Sequence, residues 1–375
     1  MIGAQNPEAA PITMLHVFPS FGYGGQQARF AVTAGGMGGA FSHHVTALDG
    51  DFTARSLVPY HAPVRYWKFP ARKSAFISLA NVIRYRKLLK DTKPDILCTY
   101  NWGSIEASIA NRLGPRLPHL HFEDGFGPGE SVREQKERRV IARRLLLRGA
   151  MVVVPSHELE AAAKDIWKLD ASRVLRIENG VDYARFQTKS SRLGHRITIG
   201  AVGALRPEKN FTRLVNAFVK ADQARKAALT IYGAGPERTH LRDSIESSGA
   251  RDRISLPGPT RAPEEAYNEF DVFAISSDTE QAPLVLMEAM ASGLPVVATN
   301  VGDIAKMVSE ENRAFITPLG DEDAFVDALA HLMQDQDARE KIGAANSRKA
   351  RDEFNAATMI ERHRKLYLEL ARRHG

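Results

Sequence analysis

The chain is 375 residues long, 43% hydrophobic and 25% charged, an ordinary globular composition at a length that calls for two domains; its net charge of +7 divides into +8 over residues 1–185 and −1 over the rest. The single cysteine, Cys98 in the apolar stretch DILCTY, excludes an internal disulfide framework, reads as a core residue and speaks for a reducing compartment. No run reaches the ~18 apolar residues of a membrane span and MIGAQNPEAAPITM lacks the parts of a secretion signal, so a cytoplasmic protein is expected, or one peripheral to the inner face of the cytoplasmic membrane.

In chain order, MLHVF reads as a buried strand running into PSFGYGGQQARFAV, a glycine-rich loop that opens a helix near Gln26. Gly24 and Gly25 let backbone N–H groups approach a phosphate or a sugar at a helix N-terminus; the same glycines also serve a plain strand-to-helix turn. The spacing does not fit the G-x-G-x-x-G dinucleotide pattern, which disfavours a dehydrogenase. HHVTAL, the helix ISLANVIRYRKLLKD, the strand PDILCTY, the helix GSIEASIANRL and the strand PHLHF follow, and this alternation predicts a parallel, doubly wound sheet. In PHLHFEDGFGPGE, His121, Glu123 and Asp124 precede Gly125, Gly127 and Gly129, so polar groups are presented on flexible backbone at a sheet edge. The other reading is a solvated loop in which Asp124 caps its own turn.

Residues 131–150 carry seven basic and two acidic residues. On a helix, Val140, Ile141, Leu145, Leu146 and Leu147 form an apolar side with Arg138, Arg139, Arg143 and Arg148 around it. Such a helix suits an anionic lipid surface or an anionic acceptor, or simply packs with its basic face in water; without interleaved aromatic residues it does not suggest nucleic acid. After the strand MVVVPS and the turn at Asn179-Gly180, a polar unpatterned stretch places the domain boundary near residue 190.

The second half restarts with the strand ITIGAVG and a loop carrying Arg206 and Lys209 before Asn210, a plausible helix N-cap. Two cations ahead of a helix N-terminus suit a diphosphate. In ALTIYGAGPER, Gly233 and Gly235 follow a strand where a ligand could approach the backbone. Residues 276–300 then carry two glutamates, Glu280 in a loop and Glu288 on a helix opened by Pro283, ahead of the buried strand PVVAT. Both fall near the carboxyl edge of a sheet, where open α/β folds bind ligands. No cluster with metal-ligand spacing is evident.

GALRPEKN, IYGAGPER, ENGVD and the Glu-x7-Glu pair with EAMASGLPVVAT come in the order and spacing seen in retaining glycosyltransferases of family 4, and residues 175–345 resemble the nucleotide-sugar domain of that family. The first half is similar more loosely, through FGYGGQQ and the strand order. The resemblance implies an α/β fold of GT-B type, two Rossmann-like doubly wound domains facing across a cleft. Residues 1–190 would form the acceptor-binding domain, 191–355 the nucleotide-sugar domain, and 356–375 a helix packing back on the first domain.

It also implies transfer of a sugar from a nucleoside-diphosphate sugar to a glycan or lipid-linked acceptor hydroxyl with retention, in cell-surface polysaccharide or glycolipid synthesis, without a metal or other cofactor. Arg206 and Lys209 would bind the diphosphate, Glu288 the ribose hydroxyls and Glu280 the donor sugar, with Gly24 and Gly25 closing over the phosphates or sugar. Two positions depart from the family pattern. Gln281-Ala282-Pro283, leading into Leu284, stands where a glycine-rich tripeptide usually offers amides to the sugar, and proline has no N–H to offer. Asp124 stands where many members carry a histidine before glycine, which gives it the sugar's C6 hydroxyl or the acceptor as a contact and leaves His121 as the fallback. The basic first half suits an anionic membrane surface. The competing readings are a nucleotide-sugar epimerase of the same fold and a non-catalytic nucleotide- or sugar-binding protein.

Overall fold

The computed structural model describes residues 10–69, 77–126, 132, 134–187 and 196–372. Gly127, Gly129 and the boundary expected near 190 lie outside the described residues. The chain divides into two compact units, one made of residues 1–177 with 357–375, the other of residues 178–356. The observed division thus falls after Ile177, ahead of the polar stretch that drew the expected boundary.

The first unit is built on seven parallel strands: β1 (Ile12–Phe18), β2 (Phe41–Ala47), β3 (Val64–Trp67), β4 (Ile96–Tyr100), β5 (His119–Phe122), β6 (Met151–Val154) and β7 (Val174–Arg176). Their spatial order is β3-β2-β1-β4-β5-β6-β7, so the winding reverses between β1 and β4. The helices are α1 (Gly25–Gly36), α2 (Leu79–Thr92), α3 (Ile105–Arg112), α4 (Glu137–Leu146) and α5 (His157–Ala161). Strand alternation sorts the core into two layers. Met14 and Phe18 of β1 pack with Phe30 of α1 and with Met359, Leu366 and Tyr367 of the C-terminal helix Ala356–Arg372. Leu15 and Val17 face the other way, against Val82 and Leu89 of α2 and Ala107 of α3. The C-terminal helix therefore belongs to the first unit, as the resemblance implied. β3, the edge strand VRYW, has no counterpart among the expected elements; half-exposed and short, it carries little apolar pattern.

The second unit repeats the plan with six parallel strands: β8 (Thr198–Val202), β9 (Ala228–Tyr232), β10 (Ile254–Gly258), β11 (Val272–Ile275), β12 (Val296–Thr299) and β13 (Ile316–Thr317). Their order is β10-β9-β8-β11-β12-β13, reversing between β8 and β11. Its helices are α6 (Tyr183–Phe186), α7 (Phe211–Ala221), α8 (Arg238–Ser247), α9 (Pro263–Tyr267), α10 (Leu284–Ala291), α11 (Ile304–Met307), α12 (Glu322–Gln334) and α13 (Gln336–Glu353). Gly200 shows how tightly this sheet is covered: a Cβ there would sit 2.0 Å from the Phe270 ring.

The basic helix α4 departs from the expectation in part: Val140, Leu146 and Leu147 pack inward as expected, but Arg143 joins them while Ile141 and Leu145 do not. Arg143 is 1% exposed, while Ile141 and Leu145 are 49% and 60% exposed. The physical reason is Glu123, whose carboxylate accepts from Arg143 Nε at 2.9 Å and from a second guanidinium nitrogen at 3.2 Å. The Trp167 ring lies 4.8 Å from the same guanidinium. A buried arginine is tolerated when paired and stacked in this way, and it turns the helix to suit.

Candidate functional site

Gly24 and Gly25 after β1, Arg206 and Lys209 after β8 and Glu280 after β11 lie at strands that flank a reversal of winding, where the strands' carboxyl ends leave a crevice, while Asp124 follows the neighbouring β5 and Gly233 and Gly235 the neighbouring β9. In the second unit the flanking loops are those after β8 and β11. The loop after β8 makes a short 3-10 turn at Pro207–Lys209 and closes at Asn210, a non-glycine residue at φ 43° whose side chain accepts from the Arg213 amide of α7. Asparagine tolerates this left-handed conformation because its amide group bonds locally. Its Nδ2 also donates to Asp278 at 3.2 Å.

The loop after β11 is tied to the one after β8 by backbone and side chains. Asp278 N donates to Glu208 O at 2.8 Å, Ser276 Oγ to Lys209 O at 3.0 Å, and Arg213 to Ser276 O at 2.8 Å and to Asp278 at 2.6 Å. The result is a rigid mount for Lys209 and Glu280, whose Nζ and Oε1 lie 2.5 Å apart. Ser277 Oγ donates to the same oxygen at 2.7 Å. Arg206, 57% exposed, has no partner closer than Glu208 at 4.0 Å among the ion pairs of the described residues.

Gln281, Ala282 and Pro283 are buried, and their carbonyls are engaged: Asp303 N donates to Gln281 O at 2.9 Å and Asn179 Nδ2 to Ala282 O at 2.9 Å. At Gly302, with φ +59°, a Cβ would lie 2.4 Å from Glu280 O, so the turn after β12 presses on this segment from the side. Pro283 is the N-cap of α10 and no side chain caps that helix, which begins at half-buried Leu284. Its first-turn amides leave a partial positive charge at that end.

Glu288, on α10, receives the Tyr267 hydroxyl at 2.7 Å on Oε2. Burial raises the Glu288 carboxyl above its ordinary value, and the Tyr267 hydrogen bond opposes that rise. Gly233 and Gly235 take another part. A Cβ at Gly233 would stand 1.9 Å from Gly203 O, and one at Gly235 2.3 Å from Leu205 O. The space beside these glycines is filled by the loop after β8, so a side chain at either position would displace that loop.

In the first unit, α1 begins directly after the glycine loop, with extended Gly24 as an N-cap that supplies no side-chain bond; Gly24 and Gly25 are both exposed. Gln26 and Arg29 of α1 both reach Asp124, the Gln26 Nε2 at 2.5 Å and one Arg29 nitrogen at 2.8 Å, with a shorter ion pair from the other. Asp124 N donates to Asn101 Oδ1 at 2.8 Å, drawing the loops after β4 and β5 together. Asp124 therefore does not cap its own turn; it is an anion held by α1.

His121 is 0% exposed, bonded to Thr99 Oγ1 at 2.8 Å and to Glu123 at 3.3 Å. It lies inside the unit and is not placed to touch a ligand at the surface, which corrects its reading as a fallback contact. Burial alone would raise Glu123, but Arg143 and His121 bring it down to about 2. Among the described residues no group of three or more His, Cys, Asp or Glu side chains is placed to hold a metal ion.

Sequence reasoning had marked the two cations and two glutamates but not their supports: Arg213, Asp278, Ser277, Tyr267 and Arg29. Each support belongs to a different element from the group it holds, or to a loop with no periodicity to read. The N-cap at Asn210 was the one local signal available.

Two parallel doubly wound units with ligand-suited loops at each reversal of winding define a two-domain Rossmann-like protein of GT-B type. Residues 184–349 match the model "Glycosyl transferases group 1" and residues 23–185 match "Glycosyltransferase Family 4". The chain belongs to the family 4 glycosyltransferases and is an enzyme of that class.

It is 28% identical over 295 residues to the D-inositol 3-phosphate glycosyltransferase of Corynebacterium efficiens, covering 71% of this chain and 69% of the relative. It is 25% identical to the UDP-Gal:alpha-D-GlcNAc-diphosphoundecaprenol alpha-1,3-galactosyltransferase of Escherichia coli, covering 78% of this chain and 80% of that one. Anabaena HepE in complex with UDP-glucose shares the fold at a TM-score of 0.81 and 18% identity, over 96% of this chain and all of that structure.

Proposed function

We propose that the protein transfers a hexose, with retention, from a nucleoside-diphosphate sugar to a hydroxyl of a glycan or lipid-linked acceptor in the synthesis of a cell-surface polysaccharide or glycolipid. The observation that carries this reading is the Lys209–Glu280 pair at 2.5 Å, braced on two loops, with exposed Arg206 on the same loop and the uncapped start of α10 just after Glu280. Arg206, Lys209 and the helix end hold the donor's diphosphate and take up the charge that develops on it as the bond to the sugar breaks. Glu280 binds donor-sugar hydroxyls, and Glu288, oriented by Tyr267, binds the ribose. The departing phosphate assists attack by the acceptor hydroxyl on the same face of the sugar, which gives retention.

Asp124 serves in the first unit as a positioning anion that fixes the start of α1, where the Gly24 and Gly25 amides are exposed. The first unit takes the acceptor. HepE is described in complex with UDP and with UDP-glucose, and the Escherichia coli relative is named for a UDP-sugar and an undecaprenol-linked acceptor. These support a uridine nucleotide donor and a lipid-linked acceptor here.

The test is a thermal-shift series with UDP-, GDP- and ADP-hexoses, followed by nucleotide release with acceptor and NMR of the product's anomeric centre. The reading expects one nucleotide series to raise the melting temperature, release of its diphosphate and an unchanged anomeric configuration. Stabilisation without turnover on any acceptor points to a non-catalytic binder, and an inverted product removes the retaining mechanism.

A further inference from the structure

Asn179 lies two residues past Ile177, where the first unit ends, in the turn that Gly180 completes. Its buried side chain reaches out of that turn: Nδ2 donates at 2.9 Å to Ala282 O, 103 positions along the chain and just ahead of α10. The backbone from which it reaches is braced. Val181 N donates to Phe354 O at 2.8 Å, Ala356 N donates to Val181 O at 3.0 Å, and a Cβ at Gly180 would stand 2.8 Å from Ala356 Cα.

The segment that Asn179 grips has three successive carbonyls turned to the protein. A Cβ at Gly302 would stand 2.4 Å from Glu280 O and 2.7 Å from Gln281 O, Asp303 N donates to Gln281 O, and Asn179 takes Ala282 O. These peptide bonds are trans, and in a planar trans peptide the N–H points opposite to the C=O. The Ala282 N–H is therefore directed away from the turn at Gly302, and it donates to no acceptor among the described residues. Leu284 and Val285 open α10, and their amides likewise donate to none. Pro283 stands between with no N–H.

We propose that Asn179 is a positioning residue for the donor's diphosphate, setting the angle at which the Ala282 amide and the first amides of α10 converge on the phosphate next to the sugar. Asp303 N fixes the peptide plane that carries the Ala282 amide. Asn179 fixes the next plane, between Ala282 and Pro283, and with it the place of the helix start relative to that amide. Among the described residues no other group donates to Ala282 O. Because Pro283 interrupts the run of amides, the Ala282 N–H is not carried by the helix and takes its direction from these two bonds. The inference rests on the donor reading above and adds to it a residue that touches no ligand.

The experiment is calorimetric titration of the full chain with UDP and with UMP, which lacks the phosphate in question, on the parent and on Asn179→Ala and Asn179→Asp. Where GDP or ADP binds the parent in place of UDP, its own monophosphate is the comparison. Asn179→Ala weakens the diphosphate about five-fold and leaves the monophosphate within about two-fold, because the bond lost acts only on the phosphate that the monophosphate lacks. Asn179→Asp keeps the side chain's shape but cannot donate when ionised; it gives at least the same loss and stands in where the alanine variant does not fold. A merely structural role lowers the melting temperature and leaves the ratio of the two affinities at the parent value, which overturns the proposal while the donor reading stands. A parent that binds none of the three diphosphates overturns both.

Discussion

Lowering the pH from 7 to 5 should destabilise the first unit selectively. His43 and His363 are each 1% exposed. Burial, followed by the charge of His44, lowers His43 from 6.5 to about 4. Burial and then Arg29 lower His363 to about 3. A histidine depressed in the fold is held neutral there while the unfolded chain takes up a proton below 6.5. The stability that each neutral ring contributes is complete above that value and is lost as the pH falls from 6.5 towards 4 and 3. At pH 5 each costs about 2 kcal/mol relative to neutral pH, about 4 kcal/mol for the two. His16 and His119 are lowered by burial as well and act in the same direction. Glu123, at about 2, contributes stability that is lost only below 4.5 and so plays no part at pH 5. For a unit of this size, 4 kcal/mol corresponds to a fall of about 10 °C in melting temperature.

The assay is intrinsic fluorescence, because all three tryptophans, Trp67, Trp102 and Trp167, belong to the first unit. Fluorescence melts at pH 7 and pH 5 should separate by at least about 10 °C, the share of His43 and His363, while calorimetry shows a second transition, from the other unit, that moves less. His363→Gln, which cannot take a proton, should remove that residue's own share of the separation, about 2 kcal/mol or about 5 °C. Coincident fluorescence midpoints at the two pH values would refute the burial argument.

Glu280→Gln should release Lys209 from its ion pair and raise the affinity for free UDP about ten-fold, worth about 1.4 kcal/mol, while turnover falls; calorimetric titration and a nucleotide-release assay read the two effects, and unchanged affinity would separate Lys209 from the phosphates. Arg206→Ala and Lys209→Ala should each weaken UDP binding by about ten-fold or more in the same titration. Tyr267→Phe should weaken UDP about five-fold, from the loss of one hydrogen bond of about 1 kcal/mol, but leave pyrophosphate binding alone; equal losses would place Glu288 away from the ribose. Arg29→Met should lower the fluorescence-monitored stability of the first unit by about 3 kcal/mol, because Asp124 is left as a largely buried charge without its ion-pair partner, and Arg29→Met with Asp124→Asn should recover part of the loss.

Most of the strands in their succession along the chain and the loop and helix positions of the two glutamates were legible because each rests on a local pattern: apolar strand runs, glycines at loop starts, a helix opened by proline. What could not be read was which partner each charged group finds. Arg143 shows the reason. Periodicity assigns a charged residue to the outer face of a helix, and nothing within residues 131–150 marks one arginine as different from the others. The distinction arises across the fold, where Glu123 at the end of β5 supplies a buried carboxylate for Arg143.

The alternation of β5 did carry part of this information. Running on from His119, residues 119, 121 and 123 share one face of the strand and residues 120, 122 and 124 the other. Leu120 and Phe122 pack on the layer of α1 and the C-terminal helix, so Asp124 falls on that side and meets Arg29 of α1. His121 and Glu123 fall on the opposite side, where Thr99 and Arg143 receive them. Parity along one strand thus separates Asp124 from His121 as site candidates, since the two cannot approach the same ligand from opposite faces of a sheet.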